Sequence, residues 1–153
     1  MMNRVFADTY YYLALIIPRA DTHQQAVDFS QQFTGTIVTT AWVMAEVANA
    51  LGDTRHRPQF PLLLDGLRQS PQAKIIPPDE QLFDNGVELY RNRPDKGWSL
   101  TDCISFIVME CEGITEALTG DHQLRAGRIH RVAQMTAPSH KVPRASVSEI
   151  AEG

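Results

Sequence analysis

Four short apolar runs, Arg4–Ala7 (RVFA), Thr36–Thr39 (TIVT), Lys74–Ile76 (KII) and Ile114–Thr119 (ITEALT), are each separated from the next by a stretch long enough for one or more helices. This spacing constrains the fold more than any other feature. Strands joined by tight turns pair antiparallel, whereas strands separated by helices cross over and pair in parallel. TIVT is β-branched throughout, which suits a pleated, half-buried surface. The segments between the runs predict helices over Thr9–Ile17, from a cap at Asp21 or Thr22 to about Phe33, and over Ala41–Leu51, Phe60–Gln69, Asp79–Tyr90 and Ser99–Cys111. Pro18, Gly52 and Gly113 stop three of them, and Pro61 suits a first helical turn. A short final helix is expected from the Gly120–Asp121 turn. The expected class is α/β, a twisted and mostly parallel sheet flanked by helices.

The 153 residues fit one core. We expect a single domain over residues 1–137 and a disordered tail over 138–153, where the apolar period is lost. Hydrophobic content of 43% and charged content of 21% argue against general disorder. No apolar run approaches the ~20 residues of a membrane span. Near the start, Arg4 is the one basic residue, and the apolar stretch Leu13–Ile17 is short and lacks a small-residue cleavage site after it. The expected location is therefore the cytoplasm. Cys103 and Cys111 fall in one predicted helix, roughly 12 Å apart at ~1.5 Å rise per residue and so beyond the ~7 Å limit for a disulfide. They are expected to be free thiols.

Open α/β sheets bind ligands at the carboxyl ends of their strands. Asp8 closes the first strand and Asp121 follows the fourth. Two further acids lie on helices that are otherwise apolar. In AWVMAEVANAL only Glu46 and Asn49 are polar, and their spacing of three puts them on one face. In SLTDCISFIVMEC, Asp102 sits in the first turn. Each acid has a plain reading by itself. Asp8, Asp102 and Asp121 would cap helices, Asp102 in an S-x-x-D capping box with Ser99, and Glu46 would be a core acid with a partner. Together, four carboxylates in one crevice would repel, and some would stay protonated without a counter-ion. A hard divalent cation resolves that conflict, and oxygen ligands suit Mg²⁺ or Mn²⁺. No Cys/His pair has zinc-site spacing.

The segments VFADTYYYLALI, VTTAWVMAEVANAL, KGWSLTDCISFIVM and ITEALTGDHQL occur in this order, with 38, 56 and 19 positions between successive acids. On these segments, over roughly residues 3–135, the chain resembles the PIN-domain ribonuclease family, in particular its small bacterial toxin-type members. The resemblance implies a three-layer PIN-like sandwich and a metal-dependent endoribonuclease that hydrolyses RNA phosphodiester bonds. It implies one or two Mg²⁺ or Mn²⁺ ions held by Asp8, Glu46, Asp102 and Asp121. Asp8 and Asp102 are the first choice as direct ligands, with Glu46 and Asp121 ligating directly or through water. It also implies an antitoxin protein as partner and a homodimer. Thr9, Thr101 and Thr119 lie near three of the acids and are placed either to orient a carboxylate or to cap and pack.

A net charge of −4 runs against a nucleic-acid binder. The four proposed site acids account for all of it, because the remaining 14 acids equal the 14 lysines and arginines. RNA contacts would then come from basic loops, Arg55, His56 and Arg57 in one and Arg91, Arg93 and Lys96 in another. His122 follows Asp121 and is either a phosphate contact or a surface residue. Tyr10, Tyr11 and Tyr12 are candidates for stacking on bases, with most of them expected in the core. Two positions depart from the family pattern. Tyr10 stands where many members have Ser or Asn, and Arg128 follows Gly127 where an aromatic residue usually leads into a final strand. The alternative function is a catalytically inactive PIN-like module that binds RNA or protein. A phosphatase would need a second Asp where Tyr10 stands.

Overall fold

The computed structural model describes residues 3–20 and 22–119 and the backbone of 129–131. In chain order the elements are β1 (Arg4–Ala7), α1 (Thr9–Ile16), α2 (His23–Gln32), β2 (Thr36–Thr40), α3 (Ala41–Leu51), α4 (Gln59–Gln69), β3 (Ala73–Ile76), α5 (Glu80–Asn92), α6 (Leu100–Glu112), β4 (Glu116–Leu118) and β5 (Ile129–Arg131). They form one sheet in the order β3-β2-β1-β4-β5. The first four strands are parallel, and β5 runs antiparallel to β4. The α/β class expected from the alternation of strands and helices is the one observed.

β1 lies inside the sheet, with β2 on one side and β4 on the other. Its Val5, Phe6 and Ala7 are all buried. This explains why the strand reads as an unbroken apolar run rather than an alternating one. Around it pack Val38 of β2, Val43, Val47 and Leu51 of α3, Ile104 and Val108 of α6 and Leu118 of β4.

β2 and β3 each run one residue longer than expected, to Thr40 and from Ala73, and β4 and β5 differ more. β4 starts two residues later than expected, because Ile114 belongs to the stop of α6. Gly113 takes a left-handed conformation (φ 68°), and the Ile114 N–H donates to Met109 O at 2.8 Å. β5 forms in the segment where the family pattern was broken, with Glu116 paired to Arg131 and Leu118 to Ile129. The Gly120–Asp121 helix, Asp121, His122 and the 138–153 tail lie outside the described residues. Cys103 is buried and Cys111 half-buried, and both are free thiols as expected. Among the described residues, no helix is long and apolar enough to cross a membrane.

α5 and α6 approach closely at Gly86. A Cβ placed there would sit 2.4 Å from Ile104 Cγ1, a branch atom that cannot swing away. Gly86→Ala gains helix propensity but overpacks this contact, so we expect a net loss of about 1–2 kcal/mol. A urea melt with unchanged m-value would check it.

At the amino end of the sheet, opposite the strand ends that carry the acids, three charges meet. Arg4 Nη2 on β1 donates to Glu112 Oε2 at the end of α6, and Lys74 Nζ on β3 lies 3.3 Å from both carboxylate oxygens. Arg4 Nη1 also donates to Glu112 O at 3.3 Å. α6 has no basic residue of its own in its last turn. Arg4 supplies the cation that the helix C-terminus favours.

Candidate metal centre

The site begins where β1 stops. Asp8 has extended backbone (φ −98°, ψ −175°) and caps α1, its Oδ1 accepting the Tyr10 N–H at 3.0 Å. Its own N–H donates to Leu118 O at 3.2 Å, so the last residue of β4 fixes its pose. The strand order reverses direction between β2 and β4 at this point, the crevice where α/β sheets bind ligands.

The second acid arrives through an abrupt strand-to-helix junction. The Thr39 hydroxyl donates to Ala7 O at 2.9 Å and ties β2 to the end of β1. Thr40 accepts the Val43 N–H at 3.1 Å and starts α3 immediately. Half-buried Glu46 lies on that helix, and its Oε1 accepts the Thr9 hydroxyl at 2.6 Å. Thr9 therefore serves Glu46, whereas its sequence neighbour is Asp8. Asn49, which shares Glu46's helix face, is exposed.

The third acid keeps its plain capping role. The Asp102 Oδ2 accepts the Ser99 N–H at 2.9 Å, and the Ser99 hydroxyl accepts the Asp102 N–H at 3.0 Å, a complete capping box. α3 packs against both α1 and α6, which brings the three acid-bearing helices together.

The charges of these acids meet at Asp8. Burial pushes its carboxyl up to about 7, and the carboxylates of Asp102 and Glu46 push in the same direction. The Tyr10 and Tyr11 N–H groups offset only part of this. Near neutral pH, Asp8 is therefore poised between a neutral acid and an anion that lacks a cation.

The donor set suits a hard cation. Glu46 and Asp102 each commit one oxygen to an internal hydrogen bond, and among the described residues the other oxygen of each accepts none. The Thr119 hydroxyl, just past β4, is buried and, among the described residues, has no hydrogen-bond partner. Among the described residues, however, no group of three His, Cys, Asp or Glu side chains is arranged to hold a metal ion. The fourth expected acid, Asp121, lies outside them.

The chain matches the PIN domain family model over residues 5–129. It belongs to the PIN-domain family. The solved structure of VapC20 from Mycobacterium tuberculosis, described as a toxin that cleaves the sarcin-ricin loop, is similar to this PIN domain with a TM-score of 0.70. Sequence identity is 18%, and the match covers 82% of this chain and 99% of VapC20, a likeness of fold. Comparison with curated proteins finds no match.

Other site candidates divide clearly in this PIN domain. Tyr11 and Tyr12 are buried, and Tyr10 is 47% exposed beside Asp8. Of the first basic loop, Arg57 Nη1 donates to Gly52 O at 2.8 Å and closes the end of α3. Thr101 offers its carbonyl to the Ser105 hydroxyl at 2.8 Å. The buried Tyr12 hydroxyl was not foreseen. Among the described residues it has no hydrogen-bond partner, its neighbour Thr39 sending its hydrogen to Ala7 O, and it feels the charge of Asp8. An apolar-looking tyrosine run gives no signal for this in the sequence.

Proposed function

We propose that this PIN domain is a metal-dependent endoribonuclease and the toxin of a toxin–antitoxin pair. The observation that carries the reading is Asp8, a carboxyl at the switch point of the sheet raised to about 7 by burial and by Asp102 and Glu46. Perturbed carboxyls in a crevice mark functional sites. Asp8, Glu46, Asp102 and Asp121 would hold one or two Mg²⁺ or Mn²⁺ ions. Such an ion acidifies water and neutralises charge on a phosphodiester.

The chain's own groups prepare that role. Thr9 holds Glu46 by Oε1 and, among the described residues, leaves Oε2 without a hydrogen-bond donor. Ser99 holds Asp102 by Oδ2 in the same way. Asp8 must release its proton before it can ligate, so cation affinity is expected to rise steeply as pH increases through about 7. Removing Thr9's hydroxyl should cost cation affinity about tenfold, the low end for partners of metal ligands. Titration calorimetry with Mn²⁺ on Thr9→Val and Thr9→Ser would check this, with Ser retaining wild-type affinity.

RNA is then the substrate, an antitoxin protein the partner that holds the enzyme inactive, and a second copy of the chain its companion in a homodimer in the cytoplasm. The similarity to VapC20, itself described as a toxin, supports this. The direct test incubates the protein with labelled single-stranded RNA and Mn²⁺ or Mg²⁺, then with EDTA, alongside Asp8→Asn and Asp102→Asn. Cleavage should need the cation and both acids. Equal behaviour of wild type and variants would sink the proposal. A second reading, an inactive module that binds RNA or protein, is favoured by the lack of a metal-ready trio among the described residues. RNA binding without cleavage under any cation would select it.

A further inference from the structure

We propose that Arg93 is a binding site for a backbone phosphate of the RNA strand entering the acid crevice, and that Asp95 occupies that site until the RNA arrives. The inference deepens the ribonuclease reading and rests on it. The loop from Arg93 to Trp98 joins the end of α5 to Ser99, the residue that caps α6 and holds Asp102. Arg93 Nε and Nη2 donate to Asp95 Oδ1 and Oδ2 at 3.1 and 3.2 Å. This two-pronged geometry is also the one in which a guanidinium grips two oxygens of a phosphate.

The guanidinium is anchored by its face and not by its fork. Its carbon lies 5.4 Å from the centroid of the Trp98 ring. Trp98 in turn packs edge-on against Phe106, with centroids 4.8 Å apart. Phe106 is one turn beyond Asp102 on α6, so the column stands along the Asp102 side of that helix. Gly97, with φ 64°, makes the turn that lets the loop fold back to place the ring there. The fork is therefore held on a column that rises from the helix carrying Asp102, whatever anion fills it.

Asp95 is the exchangeable partner. Its side chain is 62% exposed, against 21% for Arg93. An exposed ion pair of this kind adds little net stability, so a phosphate can replace Asp95 at small cost. Arg91 and Lys96 are exposed in the same stretch. A crevice of carboxylates repels a polyanion, and a cation fixed at its side is what a bound strand needs.

The test is fluorescence anisotropy with a 5′-labelled single-stranded RNA in EDTA, over a KCl series, using the full chain. Asp95→Asn should bind roughly fivefold tighter than wild type at low salt, and Arg93→Ala roughly fivefold weaker with a salt slope lower by about 1. Asp65→Asn, which removes an exposed acid on α4, should bind like wild type and so controls for net charge. The proposal is overturned if wild type does not bind, if Asp95→Asn fails to tighten binding, or if Asp65→Asn tightens it equally. Cleavage with Mn²⁺ is read separately. Shifts in affinity without any cleavage would remove the nuclease reading and leave the phosphate site, whereas cleavage without the shifts would do the reverse.

Discussion

Asp8→Asn should abolish RNA cleavage and, in the absence of divalent cation, make the protein more stable. The first half follows from losing a proposed metal ligand. A cation contributes several kcal/mol to transition-state stabilisation, so a thousandfold fall in rate is expected, at about 1.4 kcal/mol per factor of ten. The second half follows from linkage. Asp8 titrates near 3.8 in the unfolded chain and at about 7 in the fold. Between those values the folded state binds the extra proton, so stability falls as pH rises through this window. Below the unfolded value both states are protonated and the penalty vanishes. Above about 7 it is complete, and the shift corresponds to about 4 kcal/mol as an upper bound.

Asn carries no charge and caps helices as well as Asp, so it keeps the bond from the Tyr10 N–H. With about 2 kcal/mol realised, the variant should melt about 4–8 °C above wild type at pH 8 and level with it at pH 4. Adding Mn²⁺ should narrow or invert the gap, because only wild type gains from the ion. A variant that melts below wild type at pH 8 without metal would mean that the raised carboxyl is not a store of strain.

Glu112→Gln should cost about 2–3 kcal/mol, far from the acids and with no direct effect on them. The Glu112 side chain is 9% exposed, and its two partners are about one-third exposed. Loss of a fully buried partner costs about 3–5 kcal/mol, and water reaching Arg4 and Lys74 reduces that figure here. The remaining cations would face each other across β2, which lies between their strands. The C-terminus of α6 would also keep Arg4 on one weaker bond, to the Glu112 carbonyl. A fall of about 4–12 °C in melting temperature is expected. Replacing all three by apolar residues (Arg4→Met, Lys74→Met, Glu112→Leu) should recover most of it, because the loss comes from unpaired charge and not from missing volume. If the triple variant melts no higher than Glu112→Gln, the charge account is wrong.

Much of this was legible in the sequence, and the reasons are local. β1 and α3 match their expected bounds because an apolar run ending on a cap and an apolar helix ending on glycine are short-range signals. β4 was misplaced by two residues because a left-handed glycine passes the helix stop to Ile114, which looks like a strand residue in the sequence. β5 left no mark, since a three-residue edge strand of Ile, His and Arg has no apolar alternation to read. The four candidate acids stand out in the sequence because each sits oddly against its surroundings, and the Ser99 partner of Asp102 was legible as a capping box. The partners of Glu46 and of the Asp8 N–H were not. The Thr9 hydroxyl reaches Glu46 across 37 positions, and the Asp8 N–H reaches Leu118. Pairings of that length are made by the fold and have no signature in spacing. The capping reading of Asp8 and Asp102 is what the structure shows, and among the described residues it leaves one oxygen of each carboxylate without a hydrogen-bond donor.

The bond from the Asp8 N–H to Leu118 O also sets the order in which the protein becomes complete. Asp8 is synthesised well before Leu118, and β1 cannot take its second neighbour until β4 exists. At about 5–20 residues per second, the first acid waits roughly 5–20 s on the ribosome for the strand that fixes it. Glu46 can dock through Thr9 earlier, but Asp102 and the β4 clasp come later. An incomplete chain therefore carries scattered, solvated carboxylates with ordinary acidity, and the strained constellation forms as a late event. In the proposed ribonuclease, the pairing of the inner strand serves as a timer, keeping the crevice unformed until β4 has been made.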